Sequence, residues 1–528
     1  MIMKKIFKIY LLPALMLLTI NGCKKSYDEL SKNPNVPQSV PASLLFNGVA
    51  NSMVDFPDNS SEIYCQYFIY NYNYYGSNVY DFGSGDNYYT TLKNVILMEQ
   101  QAVAAGAPGL NPYSALGKFF RAYFFAKMSL EEGDIPMNDA LKGLATLTPK
   151  YDSQKAVMVQ CMAWLESANT DLGTLIAAGG NSVGGDIFFN GDLTKWQKAV
   201  NAYHLRLLTE LSKKVVTDAD LNVPAQFAAI ISNPTKYPLM TSAADNLQYT
   251  FVSPTNYYPM NPDNFGQNGS RQNTSQTYIK LLTTLKDPRV YVTAEPSRDL
   301  VDVKHQSPTD FASFVGADPG LDLGVMYNNA GLGYYSFINR KRYYSTYTGE
   351  PSIQIGYAEQ EFNIAEGINR GWATGDPEAY YVKGIQASMD YYGIPATGSF
   401  TAYFYRPGSS SVTNIANYDT FTINTDWATY YAQPTVKYTA GATGLTQILQ
   451  QRYLALFRHS GLESYFTYRR THVPTFTTGP GTSNGQRIAL RFQYPASERT
   501  ANTANYNAAL TSQFGGNDDI NGTMWILK

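Results

Sequence analysis

Cysteine is scarce, with three in 528 residues, at positions 23, 65 and 161. Three cysteines so widely spaced exclude a disulfide framework, although a single Cys65–Cys161 pair stays open on sequence alone. Histidine is scarce too: His204, His305, His459 and His472 are the only four, and no zinc-ligand spacing joins them to one another or to the cysteines. Charged residues make up 16% of the chain and the formal net charge is −2. No basic stripe is present to displace the counterions of a nucleic acid, so that class of partner is excluded. Past Ile20 no apolar run is long enough to cross a bilayer as a helix.

What the chain does have is tyrosine: 43, against 26 phenylalanines and 5 tryptophans. A core-building excess would favour Phe and Leu. Tyrosine, with an apolar face and a hydroxyl that wants a partner, suits wet contact surfaces. The densest stretch, YCQYFIYNYNYYGSNVYDF, runs from Tyr64 to Phe82. Ile63, Tyr67 and Tyr70 have the spacing of a packed helix end, and Gly76 breaks that spacing, so the stretch is expected to continue into a loop.

The N-terminus carries its own signal. Lys4, Lys5 and Lys8 precede a short apolar segment, Ile9 to Ile20, which is too short to span and reads as an export leader. It ends in INGC, which resembles the lipobox of bacterial lipoproteins. On that reading residues 1–22 are a signal peptide and Cys23 is diacylated, giving the two acyl chains that stable anchoring needs. Residues 23–42, with Pro34, Pro37 and Pro41, form a lipidated tether. Residues 43–528 form a single binding domain.

That body shows amphipathic helices. Val157, Cys161, Trp164, Leu165, Ala168, Leu172 and Leu175 recur at helical spacing behind Asp152 or Ser153 as a cap, which favours a buried free thiol at Cys161. Trp196, Val200, Tyr203, Leu207, Leu211 and Val215 make a second stripe, with Thr194 and Gln197 at capping-box spacing. A third helix places Ala358, Phe362, Ala365 and Trp372 on one face. A fourth starts at Asp376 and Pro377, and a last one covers TQILQQRYLALFRHSGLESYFTYRR. Helix pairs joined by short turns predict a mainly α fold: a tetratricopeptide-like helical-hairpin scaffold with long irregular loops and minor β. The loops are 250–347 and 398–443, and loops of that length are usually functional.

Several segments carry a family resemblance. They are NPNVPQSVPASLL, GDIPMNDALKG with PKYDSQ, GDLTKWQKAVNAYHLRLLTELS, AEQEFNIAEGINRGWATGDPEAYYVKGIQASMDYYGI, GLESYFTYRRT, and RFQYPASERTANTANYN with GGNDD. In this order, over nearly the whole mature chain, they resemble the SusD/RagB group of outer-membrane lipoproteins. The resemblance implies a non-enzymatic, lipid-anchored nutrient-binding protein of a Gram-negative cell surface. It implies a partner as well, a SusC/RagA-like TonB-dependent transporter that receives captured oligosaccharides or, in some members, peptides. Asp28 and Glu29 resemble the acidic surface-export signal of such lipoproteins, which Lys24 and Lys25 interrupt.

Chemistry has fewer candidates. Glu361 and Glu366 lie five residues apart, about 140° round a helix, so they do not share a face as a hydrolytic pair would. Glu359, Glu131, Glu132 and Asp134 read as structural or solvated carboxylates. GTSNG, with Ser483 in the middle, lacks the strand-to-helix context of a nucleophile elbow. Asn517, Asp519, Asn521 and Gly522 fit the start of a calcium loop, but Lys528 stands where the closing glutamate belongs. No cofactor is expected, with calcium the one metal left open. The ligand surface is instead expected on the tyrosine loops, where aromatic faces alternate with amides: Tyr72, Asn73, Tyr74, Tyr75, Asn78 and Tyr80, then Tyr257 and Tyr258, then Tyr334 and Tyr335. A glycan-capturing protein is the reading; a peptide-capturing relative and a surface glycoside hydrolase are the alternatives.

Overall fold

The computed structural model describes residues 40–528 apart from Tyr75 and Asn181. The expected leader, Cys23 and nearly all of the tether lie outside the described residues, as does Tyr75. Ala42–Lys528 forms one compact unit. Its first half is a run of helices that pack on their neighbours in sequence: α1 (Ala42–Asn51), α2 (Tyr89–Ala104), α3 (Pro112–Glu132), α4 (Gln154–Ala177) and α5 (Leu193–Glu210). After a long excursion that includes α6 (Leu323–Gly331), the scaffold resumes with α7 (Tyr357–Asn369), α8 (Pro377–Tyr391), α9 (Ala442–Ala455) and α10 (Glu463–Thr471). The α7 helix packs on α5, α8 and α9, joining the two halves. The fold is mainly α, as the periodicity predicts.

Local chemistry explains the starts of these helices. Pro112 occupies the first turn of α3, and the Asn111 side chain accepts from the backbone N–H groups of Tyr113 and Ser114 at 3.0 and 3.1 Å. Ser153 caps α4 and Asp376 caps α8 ahead of Pro377. For α5 the expected Thr194 capping box is not formed. Asp192 is the cap, accepting from Thr194 at 2.8 Å, and Gln197 turns inward to Asn169. A carboxylate two residues earlier takes the exposed N–H groups, which leaves Thr194 inside the helix. Within α5, Trp196 is the centre of an aromatic cluster, with the rings of Phe46, Phe119, Phe120, Phe188 and Phe189 at centroid distances of 5.4 to 6.0 Å. Cys65 and Cys161 are both buried free thiols.

The single last helix expected from the sequence is two, α9 and α10, separated by a bend. Arg458 (φ 67°), Ser460 (φ 57°) and Gly461 (φ 54°) adopt left-handed backbone there. The bend seats the buried Arg458 guanidinium 5.2, 5.7 and 4.9 Å from the ring centroids of Phe68, Tyr258 and Tyr343, and 3.3 Å from the Glu62 carboxylate. Gly461 allows the approach, since a Cβ there would meet the Asp55 carboxylate at 2.5 Å.

The strands form three antiparallel pairs. β1 (Phe68–Tyr70) lies on β3 (Gln272–Thr274), and β2 (Leu247–Tyr249) on β4 (Ser352–Ile355). β5 (Thr397–Tyr405) pairs with β6 (Tyr418–Asp426), in register from Thr397 with Asp426 to Tyr405 with Tyr418. The stretch 398–443, expected to be irregular, therefore holds the longest hairpin among the described residues. The stretch 250–347 is broken by short helices and β3.

Charge inside the scaffold is paired. Glu359 on α7 accepts from Arg206 of α5 at 2.7 and 2.5 Å and from Arg452 of α9 at 3.0 Å; Arg452 also reaches Glu463 of α10 at 2.9 Å. Two turns further along α7, Glu366 is held by Arg470 of α10 and, at 2.9 Å, by Arg370. Burial pushes the Glu366 carboxyl up, but the charges of Arg470 and Arg370 outweigh it and bring its pKa down to about 2. Glu359, Glu361 and Glu366 are all buried.

Two predictions follow from this network. Arg452→Met leaves Glu359 and Glu463 short of a partner and should lower stability by about 3–5 kcal/mol, read from urea unfolding. Glu366 ionises more readily folded than unfolded, so its stabilisation is complete above pH 4.5 and fades as the pH falls toward 2. Melting temperatures over that interval should drop more steeply for the wild type than for Glu366→Gln.

Candidate functional site

The tyrosine-rich stretch begins inside the protein. A short helix, Ser60–Tyr64, leads into β1, and Tyr67 lies buried, stacked on Tyr453 at 4.6 Å with its hydroxyl donating to the Tyr453 carbonyl. After Tyr70 the chain leaves the sheet, and two asparagines hold the base of the loop. Asn71 donates to the Asn273 side-chain oxygen at 2.6 Å. Asn78 closes the other side, accepting from the Tyr70 N–H and donating to its carbonyl, both at 2.8 Å. Asn78 thereby replaces a strand partner, and its amide is used by the protein itself. Gly76 lets the loop fold back over Tyr70, because a Cβ there would lie 2.4 Å from that ring.

What this anchored loop presents is a row of rings. Tyr72 neighbours both Tyr74, at 6.4 Å, and Tyr327 of α6, at 5.4 Å, with both planes within 36° of its own. The Arg271 guanidinium lies 4.7 Å from the centroid of Tyr72. Tyr74 is 82% exposed and Tyr327 45%. Asn73 is exposed beside them. Met326, next to Tyr327 on α6, belongs to a small second core with Ile69, Ala317 and Tyr335, separate from the main one. Asp322 caps α6, accepting from Gly324 at 2.9 Å, and so fixes the turn on which Tyr327 rides.

The other expected site residues are placed differently. Tyr80 is buried and donates to the Tyr64 carbonyl at 2.9 Å. Tyr258 is fully buried against Arg458 and Phe251. Tyr335 belongs to the second core, its hydroxyl accepting from Asn329 at 2.9 Å. These three tyrosines are packed, which corrects their place on an exposed ligand surface; Tyr258 and Tyr335 each follow an exposed tyrosine in sequence but are themselves buried. Tyr257 stays exposed, paired with Tyr347 at 4.5 Å, and Tyr334 is exposed beneath Lys304. Tyr327 and Arg271 lay within the expected loop 250–347 without being singled out, because no local pattern marks a residue that meets Tyr72 only after folding.

The remaining chemical candidates are occupied internally. Ser483 donates to Asp81 at 2.6 Å, and GTSNG forms two short turns with no strand-to-helix elbow. Asp519 accepts from Asn521 N–H at 2.9 Å and Asp518 pairs with Arg491 at 2.6 Å. Among the described residues no group of three or more His, Cys, Asp and Glu side chains is placed to hold a metal, and no helix is long and apolar enough to cross a membrane. Glu131 and Glu132 are buried at the end of α3. Burial first, and then the charge of Asp86, raises Glu131 to about 8.

The burial pattern makes a direct prediction. Tyr74→Ala should leave urea stability within about 0.5 kcal/mol of wild type. Tyr258→Ala should cost about 3–5 kcal/mol by opening a cavity beneath Arg458.

Comparison with known proteins supports a family assignment. Residues 34–495 match the SusD-like family described as starch-binding and associating with the outer membrane. Two solved SusD homologues from Bacteroides fragilis are each 30% identical over 93% of this chain and all of theirs, with TM-scores of 0.79 and 0.75. A chitin-binding SusD homologue from Flavobacterium johnsoniae shares the fold, at 21% identity over 92% of this chain and 98% of its own, with a TM-score of 0.68. No curated protein sequence matches. With its tetratricopeptide-type scaffold and its surface row of tyrosines, the chain belongs to the SusD-like family of outer-membrane nutrient- and glycan-binding proteins.

Proposed function

We propose that this protein captures oligosaccharides at the cell surface and passes them to a SusC-like TonB-dependent transporter. In this reading residues 1–22 direct export, Cys23 carries the lipid anchor, residues 23–42 act as a tether, and residues 43–528 bind the ligand. The observation that carries it is the row Tyr74–Tyr72–Tyr327 with Arg271 over Tyr72. A sugar ring offers a flat C–H face and a rim of hydroxyls; the rings meet the face, and the exposed Asn73 supplies an amide for the rim. The anchoring of the loop by Asn71 and Asn78 means little order has to be imposed on binding, which favours affinity.

Peptide capture is the second reading, and one feature favours it: the row is built from tyrosine and arginine without tryptophan, a combination also enriched at peptide and protein contact surfaces. Hydrolysis has no support from paired carboxylates in this site.

The test is binding of the purified protein to glycan and peptide arrays, with chitin and starch oligosaccharides included, beside a Tyr72→Ala/Tyr74→Ala/Tyr327→Ala variant. Glycan binding that falls at least about tenfold in the variant is the expected result. Peptide binding with the same loss transfers the site to the second reading, and undiminished glycan binding by a folded variant overturns the site.

A further inference from the structure

A second aromatic surface lies on different elements, at the base of the β5–β6 hairpin. There β6 ends at Asp426, which accepts from Thr429 N–H at 2.9 Å and starts the short helix Trp427–Tyr431. The Trp427 N–H donates back to the Ala396 carbonyl at 2.6 Å, tying this helix to the start of β5. Between it and the segment carrying Tyr291 and Phe311 is a cleft of about 450 Å³, within the range of small-ligand sites.

Trp427 forms one wall, and one of its faces is already backed. It stacks on Tyr431 at 5.3 Å with 13° between the planes, and Lys437 sits 4.6 Å from the Tyr431 centroid on the same stack. Tyr431 is fixed in turn by donating to Glu378 at 2.7 Å. The tryptophan is therefore rigidly supported where it borders the cleft. Tyr291 and Phe311, 5.3 Å apart, line the same cleft.

The mouth has polar groups that the protein leaves available. Asn424 is exposed, and its amide makes no hydrogen bond among the described residues; Lys286 is exposed and makes no ion pair there. Gln433 spends its amide N–H groups on the carbonyls of Leu285 and Tyr430, which leaves its oxygen as an acceptor. Lys286 and Asp426 carry opposite charges at the rim, so the mouth has no net charge and favours a neutral ligand rich in hydroxyls over an ionic one.

The geometry points to this cleft as a second binding site for one or two rings of a neutral glycan, with Trp427 as the stacking platform and Asn424, Gln433 and Lys286 as hydroxyl partners. The inference rests on the proposed capture of glycans but uses none of the residues of the Tyr72 row. Two sites on separate elements hold one long glycan at two points, or two chain ends, and raise retention without new contacts at either site.

Isothermal titration of the purified protein with N,N′-diacetylchitobiose, maltose and cellobiose tests it. At least one sugar should bind at two sites, and Trp427→Ala or Asn424→Ala should each remove one of them or weaken it at least about tenfold. Asn424 is exposed, so its variant stays informative if Trp427→Ala unfolds; Trp427→Phe, which keeps a ring on Tyr431, should retain partial affinity. A Tyr72→Ala/Tyr327→Ala variant should lose only the other site. If both cleft variants keep full stoichiometry and affinity, the second site is overturned while the Tyr72 site stands. If all binding survives in the tyrosine variant and vanishes in the cleft variants, the Tyr72 site falls and the cleft stands. No saturable binding of any of the three sugars below about 10 mM overturns the cleft as a site for such rings.

Discussion

The scaffold turns on Glu359. Its carboxylate is buried, and desolvation alone would hold it protonated; Arg206 from α5 and Arg452 from α9 reverse that and keep it ionised below the ordinary carboxylate range. Three helices far apart in sequence must therefore meet at one atom group, and Arg452 extends the requirement to Glu463 on α10. Such a cluster adds little net stability over an apolar core, but it penalises any packing that separates its members. The junction of the two helical halves has few alternatives as a result.

A frame held this tightly can carry loops whose own packing is thin. In the row Tyr74–Tyr72–Tyr327, Tyr327 follows Met326 of a second core of four buried residues, and the Asn78 clamp and the cap at Asp322 hold the segments that carry the rings. Of these rings Tyr74 keeps most of its area in water, Tyr327 about half and Tyr72 less. At the base of the β5–β6 hairpin the Glu378–Tyr431–Trp427 series fixes an aromatic wall from behind. In both places a ring at the surface is positioned by contacts within the protein, a recurring way to prepare a binding face before any ligand arrives.

The tyrosine excess has two causes that composition cannot separate. Tyr67, Tyr258, Tyr278, Tyr343, Tyr381 and Tyr465 are among the largest fully buried side chains, and several spend their hydroxyls on distant carbonyls, as Tyr67 does on Tyr453 and Tyr465 on Ala489. These hydroxyls act as cross-links between segments. The minority that reaches solvent includes the exposed Tyr74 and Tyr327 and the half-buried Tyr72.

Much of the frame was legible in the sequence because it is local. Helical spacing of apolar residues, Pro377 behind Asp376 and Ser153 before α4 each act within a turn or two, and they placed the helices and the mainly α class. The site was legible only as a region. Adjacent tyrosines such as Tyr257 and Tyr258, or Tyr334 and Tyr335, read alike in one dimension, yet one of each pair faces water and the other is packed. Asn78 looked like a ligand contact and is a clamp, since only folding brings it to the backbone of Tyr70. The break between α9 and α10 follows from Arg458 entering a box of rings drawn from three other segments. Sequence alone determined the family, the helical frame and the neighbourhood of the ligand surface, because those depend on short-range periodicity and ordered motifs. Tertiary structure decided which rings are presented, that Tyr327 and Arg271 join Tyr72, and that Trp427 lines a cleft, because burial and orientation are set by contacts hundreds of residues apart.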